Sequence, residues 1–186
     1  MRVLIACEYS GRVREAFRAM GHDAISCDLL ETEQPGPLHV GGCLELAYSG
    51  DFDLMVCHPP CTDLAVSGAR HFAAKRADGR QQKALDFVAK LLGAPIQRIA
   101  LENPVSIISS HIRQADQYIQ PWQFGHGETK KTGLWLKGLP LLKPSSIVDG
   151  RANVVHRMPP GPDRWKNRSR TYQGVADAMA AQWGAV

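Results

Sequence analysis

The 186-residue sequence lacks any long apolar run. A membrane-spanning helix needs roughly 18 or more consecutive apolar residues, and no stretch approaches that length. The N-terminal apolar run, Val3–Cys7, is short and is followed at once by the acidic Glu8, so the sequence predicts no signal peptide. We therefore expect a cytoplasmic protein with no membrane partner.

The sequence also lacks the even, widely spread set of cysteines that is typical of a disulfide-stabilised secreted protein. All five cysteines fall in the first third of the chain: Cys7, Cys27, Cys43, Cys57 and Cys61. We expect them to be reduced, so that each is either a core residue or a chemical group of a site.

Net charge is small as well. The 22 basic and 18 acidic residues leave a formal charge of +4. The surplus lies in residues 150–186, where basic residues outnumber acidic ones, whereas residues 1–149 are neutral. Such a tail can contact the phosphates of DNA, or it can simply keep the protein soluble.

Strand and helix patterns alternate through the first hundred residues. The predicted strands are apolar runs typical of strands buried on both faces: Val3–Cys7, Ala24–Cys27, Asp53–Cys57 and Arg98–Leu101. Helical spacing of apolar residues lies between them, from Val13 to Met20 and from Asp78 to Leu92. This order predicts an α/β fold with a doubly wound, mainly parallel sheet. No domain boundary is evident, so we expect residues 1–186 to form one domain.

Patterns in the second half of the chain are weaker. Tyr118–Phe124 and Gly133–Leu136 are predicted strands, and Gly174–Trp183 is the last predicted helix. Residues 139–173 are predicted to be a basic, irregular segment, because they are rich in proline and glycine and have little periodicity. Residues 62–80, another basic stretch, are predicted to form a mobile loop.

Polar residues follow the predicted parallel strands, at the edge where open sheets bind ligands. Asp28 follows the second strand, and a carboxylate there commonly accepts hydrogen bonds from both hydroxyls of a cofactor ribose. The turn after the first strand holds Gly11 alone, instead of the G-x-G-x-x-G that a pyrophosphate requires. A nucleoside cofactor without phosphates, such as S-adenosyl-L-methionine, therefore fits better than a dinucleotide. The alternative is that Asp28 only caps the next segment.

Two reactive side chains follow the third and fourth predicted strands. Cys61 comes after Pro59 and Pro60, which hold it rigidly, and a thiolate at such a position suits nucleophilic attack. Glu102, followed by Asn103, lies at the corresponding end of the next strand and could reach a substrate held against Cys61. Taken singly, each also fits an ordinary role, as a buried inert thiol or a surface acid.

Together, Pro59-Pro60-Cys61 and Glu102-Asn103 resemble the signature of the cytosine-5 DNA methyltransferases. In that family the cysteine adds to carbon 6 of the pyrimidine. The glutamate, bound at the ring nitrogen, stabilises the enamine that takes a methyl group from S-adenosyl-L-methionine at carbon 5. The resemblance implies a fold of the S-adenosylmethionine-dependent methyltransferase type, with the catalytic residues Cys61, Glu102, Asn103 and Pro60.

Binding residues follow from the resemblance and from the charge pattern. The residues expected to bind the cofactor are Cys7, Glu8, Tyr9, Ser10, Gly11, Asp28 and Pro59. The basic residues expected to contact DNA are Arg70, Lys130, Lys131, Arg164, Lys166, Arg168 and Arg170. The alternative for the last four is a solvated loop. No metal is expected.

The chain departs from the family at three places. The family's Gln-x-Arg-x-Arg run reads Glu128–Thr132 here, so Thr132 stands where the second arginine helps hold the cytosine, and Lys130 or Lys131 would serve instead. The first segment lacks the family's Phe-x-Gly-x-Gly. Residues 139–169 stand where the family has a target-recognition region of a hundred or so residues. We therefore expect loose target choice or a protein partner, as in a compact phage or prophage protein.

Other interpretations stay open. The chain could methylate a free pyrimidine nucleotide or RNA, or it could be a non-catalytic nucleotide- or nucleic-acid-binding protein on the same fold. A zinc site at Cys57, His58 and Cys61 is the weakest alternative, because structural zinc sites usually need a second pair of ligands.

Overall fold

A computed structural model describes residues 1–34 and 39–186 of the chain. Within these residues, seven strands form one sheet: β1 (Arg2–Ala6), β2 (Asp23–Cys27), β3 (His39–Val40), β4 (Leu54–Cys57), β5 (Arg98–Pro104), β6 (Gln117–Ile119) and β7 (Thr132–Lys137). Their order across the sheet is β3-β2-β1-β4-β5-β7-β6. The neighbouring strands from β3 to β5 are parallel, and β7 is antiparallel to both β5 and β6. The predicted doubly wound, mainly parallel α/β sheet is confirmed.

Helices cover both faces of this sheet. They are α1 (Arg12–Ala19), α2 (Cys43–Ala47), α3 (Phe72–Ala77), α4 (Arg80–Leu92), α5 (Ile108–His111), α6 (Val154–Arg157), α7 (Arg164–Ser169) and α8 (Gln173–Trp183). Short 3-10 helices span Val66–His71 and Pro121–Gln123. No helix of the described residues is long and apolar enough to cross a lipid bilayer.

Two apolar cores explain why β1 is apolar throughout. Val3 and Ile5 face the core that α1 and α8 complete, whereas Leu4 and Ala6 face the core that α2, α4 and α5 complete. All four side chains are fully buried, and alternate residues of a strand point to opposite faces. A strand covered on both sides therefore reads as one continuous apolar run.

Helix α8 packs closely on the loop that follows β6. The Gly174 backbone N–H donates to Nε2 of His126 at 2.9 Å. A Cβ atom at Gly174 would overlap the carbonyl oxygen of Phe124, so glycine alone fits this approach. At the other end of the helix, the buried indole of Trp183 donates to the Pro140 carbonyl at 3.0 Å, which fixes the start of the basic segment on the core.

Three boundaries differ from the sequence predictions. The predicted strand Tyr118–Phe124 is wrong beyond Ile119, because Pro121 has no N–H to donate to a ladder and begins a 3-10 helix. The helix predicted from Asp78 begins at Arg80, since Gly79 has a φ of 76° and ends the preceding turn. Residues 139–173, predicted to be irregular, contain the short helices α6 and α7.

Candidate active site

The carboxyl ends of the parallel strands open into one cavity of about 1220 Å³. Its walls come from the segments that follow β1, β2, β4 and β5, from the loop before β7 and from α7. Predicted site residues that line it are Cys7, Glu8, Tyr9, Ser10, Asp28, Pro60, Cys61, Lys130, Lys131, Arg164 and Arg168. The other predicted residues lie outside this lining: Gly11, Pro59, Arg70, Glu102, Asn103, Lys166 and Arg170. The ends of the parallel strands, the loop before β7 and α7 thus bring most of the predicted set to one place.

A strained turn follows β1. Cys7 leaves the strand with a φ of 58°, in the left-handed region that non-glycine residues rarely adopt. The buried Glu8 carboxylate accepts hydrogen bonds from the Val13 backbone N–H at 2.7 Å and from the Ser10 hydroxyl at 3.0 Å. Glu8 therefore caps the N-terminus of α1. Gly11, with a φ of 72°, completes the turn from behind the cavity wall, which Glu8 itself helps to line.

The segment after β2 supplies an acidic group beside uncovered apolar surface. The Asp28 carboxylate accepts the Leu30 backbone N–H at 3.0 Å, which fixes the local turn. The Leu29 side chain borders the cavity and is 94% exposed. A carboxylate for sugar hydroxyls next to an apolar wall for a base is the lining that a nucleoside requires. These residues therefore fit the nucleoside part of S-adenosyl-L-methionine.

The loop after β4 is held rigidly in place. The buried Asn103 side chain donates to the Pro59 carbonyl at 2.9 Å, which ties the end of β5 to the proline pair. Further along, the Val66 N–H donates to the Val105 carbonyl at 3.0 Å. Pro60 and Cys61 lie between these two anchors, in a segment that we call the cysteine loop (residues 58–65), and both line the cavity. Asn103 thus positions the loop from behind it.

Glu102 lies beside this loop and is paired with a histidine. The register of β4 on β5 matches Cys57 with Leu101, which places His58 next to Glu102. His58 Nδ1 lies 3.1 Å from Glu102 Oε2, and both side chains are largely buried. Glu102 borders a crevice of about 20 Å³ that adjoins the main cavity, and Lys130 lines both spaces.

The surroundings of Glu102 keep it ionised. Burial raises the pKa of this carboxyl, but the His58 hydrogen bond, the Lys130 charge and the Thr132 hydroxyl outweigh burial and lower its pKa below the ordinary value. Thr132 occupies the position where the family that the sequence resembles has an arginine. The carboxylate is therefore stabilised by His58 and Lys130 in this chain.

Cys61 has the opposite protonation. Burial raises the pKa of its thiol, the negative charge of Glu102 raises it further, and the charges of Lys130 and Arg168 oppose them only in part. Cys61 is therefore a protonated thiol at neutral pH. Its reaction as a nucleophile requires a proton acceptor close by.

The basic residues of the C-terminal segment are divided by α7. Arg164 and Arg168, one helical turn apart, line the cavity with Lys130 and Lys131. The Arg170 guanidinium instead pairs with Glu33, with its Nε 2.7 Å from the carboxylate. These charges alternate along the sequence, and the helix separates them into two sets.

Two other predicted contacts are not in the cavity. The Lys166 ammonium lies 5.7 Å from the ring centre of Trp165, whose side chain is 51% exposed on the cavity wall. Arg70 hydrogen bonds with the neighbouring His71 in the 3-10 helix after the cysteine loop. Lys75, one of the charges of the predicted mobile loop, is buried and pairs with Asp63 at 3.2 Å, so it supports the loop from within.

Contacts from the N-terminal turn hold α7 over the cavity. The buried Tyr9 hydroxyl donates to the Lys166 carbonyl at 2.5 Å and lies 3.1 Å from the Ser169 hydroxyl. The Arg12 guanidinium donates to the Thr171 carbonyl at 3.0 Å. The segment after residue 150 thus packs directly on the predicted cofactor turn.

Sequence reasoning missed two features of the site. His58 was placed at a strand end, but its pairing with Glu102 depends on the register of two strands. Cys43 lines the cavity beside Cys7 and contacts the buried Cys27, and no spacing rule connects these three residues. The signal available for His58 was its position immediately before the two prolines.

Similarity to known proteins is found at the level of the fold. No protein-family model and no curated protein matches the sequence. Among solved structures, one that matches is a protein assigned as a DNA modification methyltransferase, encoded within a prophage of E. coli. The match covers 80% of this chain with a TM-score of 0.51 and 14% sequence identity. It covers 52% of the other chain, so the present chain matches about half of that protein. The two chains share a fold.

Proposed function

We propose that the protein is an S-adenosylmethionine-dependent DNA methyltransferase that modifies carbon 5 of cytosine through a covalent bond to Cys61. The observation that carries this proposal is the placement of Cys61 and of the His58-paired Glu102 at the ends of neighbouring strands, beside one large cavity. The fold shared with a prophage protein assigned as a DNA modification methyltransferase supports it.

The residues after β1 and β2 would hold the cofactor. Asp28 would accept hydrogen bonds from the ribose hydroxyls, and the exposed Leu29 would cover a face of the base. The turn from Cys7 to Gly11 would pass beneath the remainder of the cofactor. When bound, the cofactor supplies an electrophilic methyl group.

Cys61 performs the covalent step of this proposal. Its sulfur forms a bond to carbon 6 of the base, and the electron pair of the carbon 5–carbon 6 bond moves toward ring nitrogen 3. The thiol proton is released as the sulfur attacks, and a proton must appear at nitrogen 3. Once carbon 5 carries the methyl group, its proton passes to solvent and the electron pair of that carbon–hydrogen bond restores the carbon 5–carbon 6 double bond. The sulfur–carbon bond breaks with its electron pair staying on sulfur, and the proton held at nitrogen 3 returns to Cys61 through Glu102.

Glu102 transfers the proton that this step moves. It is an ionised carboxylate, and it lies near a thiol that is protonated. It can accept the proton that Cys61 gives up and donate it to ring nitrogen 3. His58 and Lys130 hold the carboxylate in its charged form between turnovers, and Asn103 keeps the cysteine loop at a fixed distance from it.

The basic cavity residues supply the contact to DNA. Lys130, Lys131, Arg164 and Arg168 line the cavity mouth, and the exposed Trp165 offers a surface on which an extruded base can stack. Neutralising about four phosphates gives modest, strongly salt-dependent affinity. A protein partner would add target choice that these few residues do not provide.

The test is methyl transfer to a set of candidate substrates. The protein is incubated with methyl-labelled S-adenosyl-L-methionine and, separately, duplex DNA, single-stranded DNA, RNA and dCMP. We expect label in DNA, its loss in Cys61→Ser, and its retention in Cys57→Ala, since Cys57 is buried in the sheet. Label only in RNA or dCMP would overturn the choice of DNA. No label in any substrate, together with no cofactor binding by calorimetry, would refute the proposal that the protein is a methyltransferase.

A further inference from the structure

Three cysteines meet beside the cavity, away from Cys61: Cys7 and Cys43 line it, and Cys27 is buried behind them. Cys7 follows β1, Cys27 ends β2, and Cys43 is the first residue of α2. The sulfurs of Cys27 and Cys43 are 2.8 Å apart, closer than two thiols in ordinary packing, and a disulfide bond is about 2.05 Å long. The pair thus needs a movement of less than about 1 Å to bond.

The environment of Cys43 makes it the attacking thiol of the group. Hydrogen bonds from the Cys27 and Cys7 thiols, together with the Cys7 backbone N–H at 3.3 Å, lower the pKa of Cys43 well below the ordinary value. When it carries its proton, the Cys43 thiol donates to the Cys27 carbonyl at 3.2 Å. The same thiol hydrogen bonds, with burial, raise the pKa of Cys7 and Cys27, so these two keep their protons. Cys43 therefore loses its proton most readily of the three.

Access to the cluster is one-sided. Cys43 is partly exposed and lines the cavity, whereas Cys27 is fully buried behind it. A small oxidant in the cavity reaches Cys43 first, and Cys27 is already in place to react next. Cys57 is buried in the sheet, and the raised pKa of Cys61 slows its oxidation.

We propose that Cys43 is a peroxide-oxidised site and that Cys27 resolves it as a disulfide. The Cys43 thiolate attacks hydrogen peroxide, so that the O–O bond breaks, a sulfur–oxygen bond forms, and hydroxide leaves and takes up a proton as water. The Cys27 sulfur then attacks the sulfenic acid of Cys43. The sulfur–sulfur bond forms, the sulfur–oxygen bond breaks, and the Cys27 proton leaves with the hydroxide as a second water.

The disulfide joins the end of β2 to the start of α2 across the cavity wall. It closes a ring that contains Asp28 and Gly42, two residues that line the cavity. Oxidation therefore fixes the end of β2 and the start of α2 relative to each other. The modification requires no methyl transfer, so its test is separate from that of the proposed function.

Peptide mapping of the full chain tests the proposal. The protein is treated with graded hydrogen peroxide, alkylated and cleaved before aspartate. The cleavage separates fragment 23–27 with Cys27, fragment 28–50 with Cys43 and fragment 53–62 with Cys57 and Cys61. We expect fragments 23–27 and 28–50 to become joined and to separate on reduction, at about tenfold lower peroxide than oxidises fragment 53–62.

Variants assign the two roles. In Cys27→Ser, dimedone should trap a sulfenic acid on fragment 28–50, and in Cys43→Ser, fragment 23–27 should stay alkylatable. Cys57→Ala is the matched control and should form the linkage as the wild type does. The proposal is refuted if fragment 53–62 of the wild type is oxidised first, or if fragment 28–50 stays fully alkylated; the wild-type result stands even where a variant does not fold.

Discussion

Replacing Glu102 by glutamine should make Cys61 more reactive as a thiolate. The Glu102 charge is the second cause, after burial, of the raised pKa of Cys61. Glu102 lies in β5, and Cys61 lies in the loop that follows the neighbouring strand β4. At a separation on the order of 10 Å and an effective dielectric constant of about 20, one charge contributes about 1.7 kcal/mol, which changes the thiolate fraction by at least about tenfold.

The assay is alkylation of Cys61 by iodoacetamide as a function of pH, followed on fragment 53–62. Removing a negative charge favours the thiolate, so the pH midpoint should fall, and the rate at pH 8 should rise about tenfold. Glu31→Gln, at an exposed carboxylate, is the matched control and should leave the profile unchanged. An unchanged or slower alkylation of Cys61 in Glu102→Gln would refute the electrostatic account of the site.

Two further predictions concern stability. His58→Ala removes a hydrogen bond to an ionised group and should lower the free energy of unfolding by about 1–3 kcal/mol at neutral pH. Since the folded pKa of Glu102 is depressed, this loss should be full above a pH of about 4.5 and should disappear as the pH falls through the folded pKa. In urea titrations, His58→Asn, which keeps a donor near the Nδ1 position, should recover part of the lost free energy of unfolding. Equal losses at pH 3 and pH 7 in His58→Ala would contradict a hydrogen bond to the ionised Glu102. Gly174→Ala should destabilise the protein by about 1–3 kcal/mol, because its Cβ overlaps the Phe124 carbonyl. Gly161→Ala is the control, because Gly161 has open space around it, and its melting temperature should change little. Equal melting temperatures for the two variants would contradict this prediction.

The fold was predictable because its signals are local. Apolar runs of strand length, separated by helical spacing, specify a parallel sheet, and the sheet alone brings Asp28, Cys61 and the end of β5 to one edge. Pro121 limited the prediction of β6, since its effect on the ladder outweighs the apolar residues around it.

The pairing within the site was not predictable in the same way. His58 meets Glu102 only through the register of β4 on β5, and Arg170 meets Glu33 from a distance of 137 residues in sequence. Contacts of this kind depend on tertiary packing, which no periodicity in the sequence records. The same reason explains why Lys75, an apparent surface charge, is buried under the cysteine loop.

The most direct test of the central claim is a trapped covalent adduct. DNA containing 5-fluorocytosine is incubated with the protein and S-adenosyl-L-methionine, because fluorine at carbon 5 cannot leave as a proton and the sulfur–carbon bond then persists. We expect a protein–DNA species that is stable to denaturation, with the added nucleotide mapped to Cys61 within fragment 53–62, and no such species in Cys61→Ser. Methyl transfer to cytosine without any adduct on Cys61, or with full activity in Cys61→Ser, would contradict it.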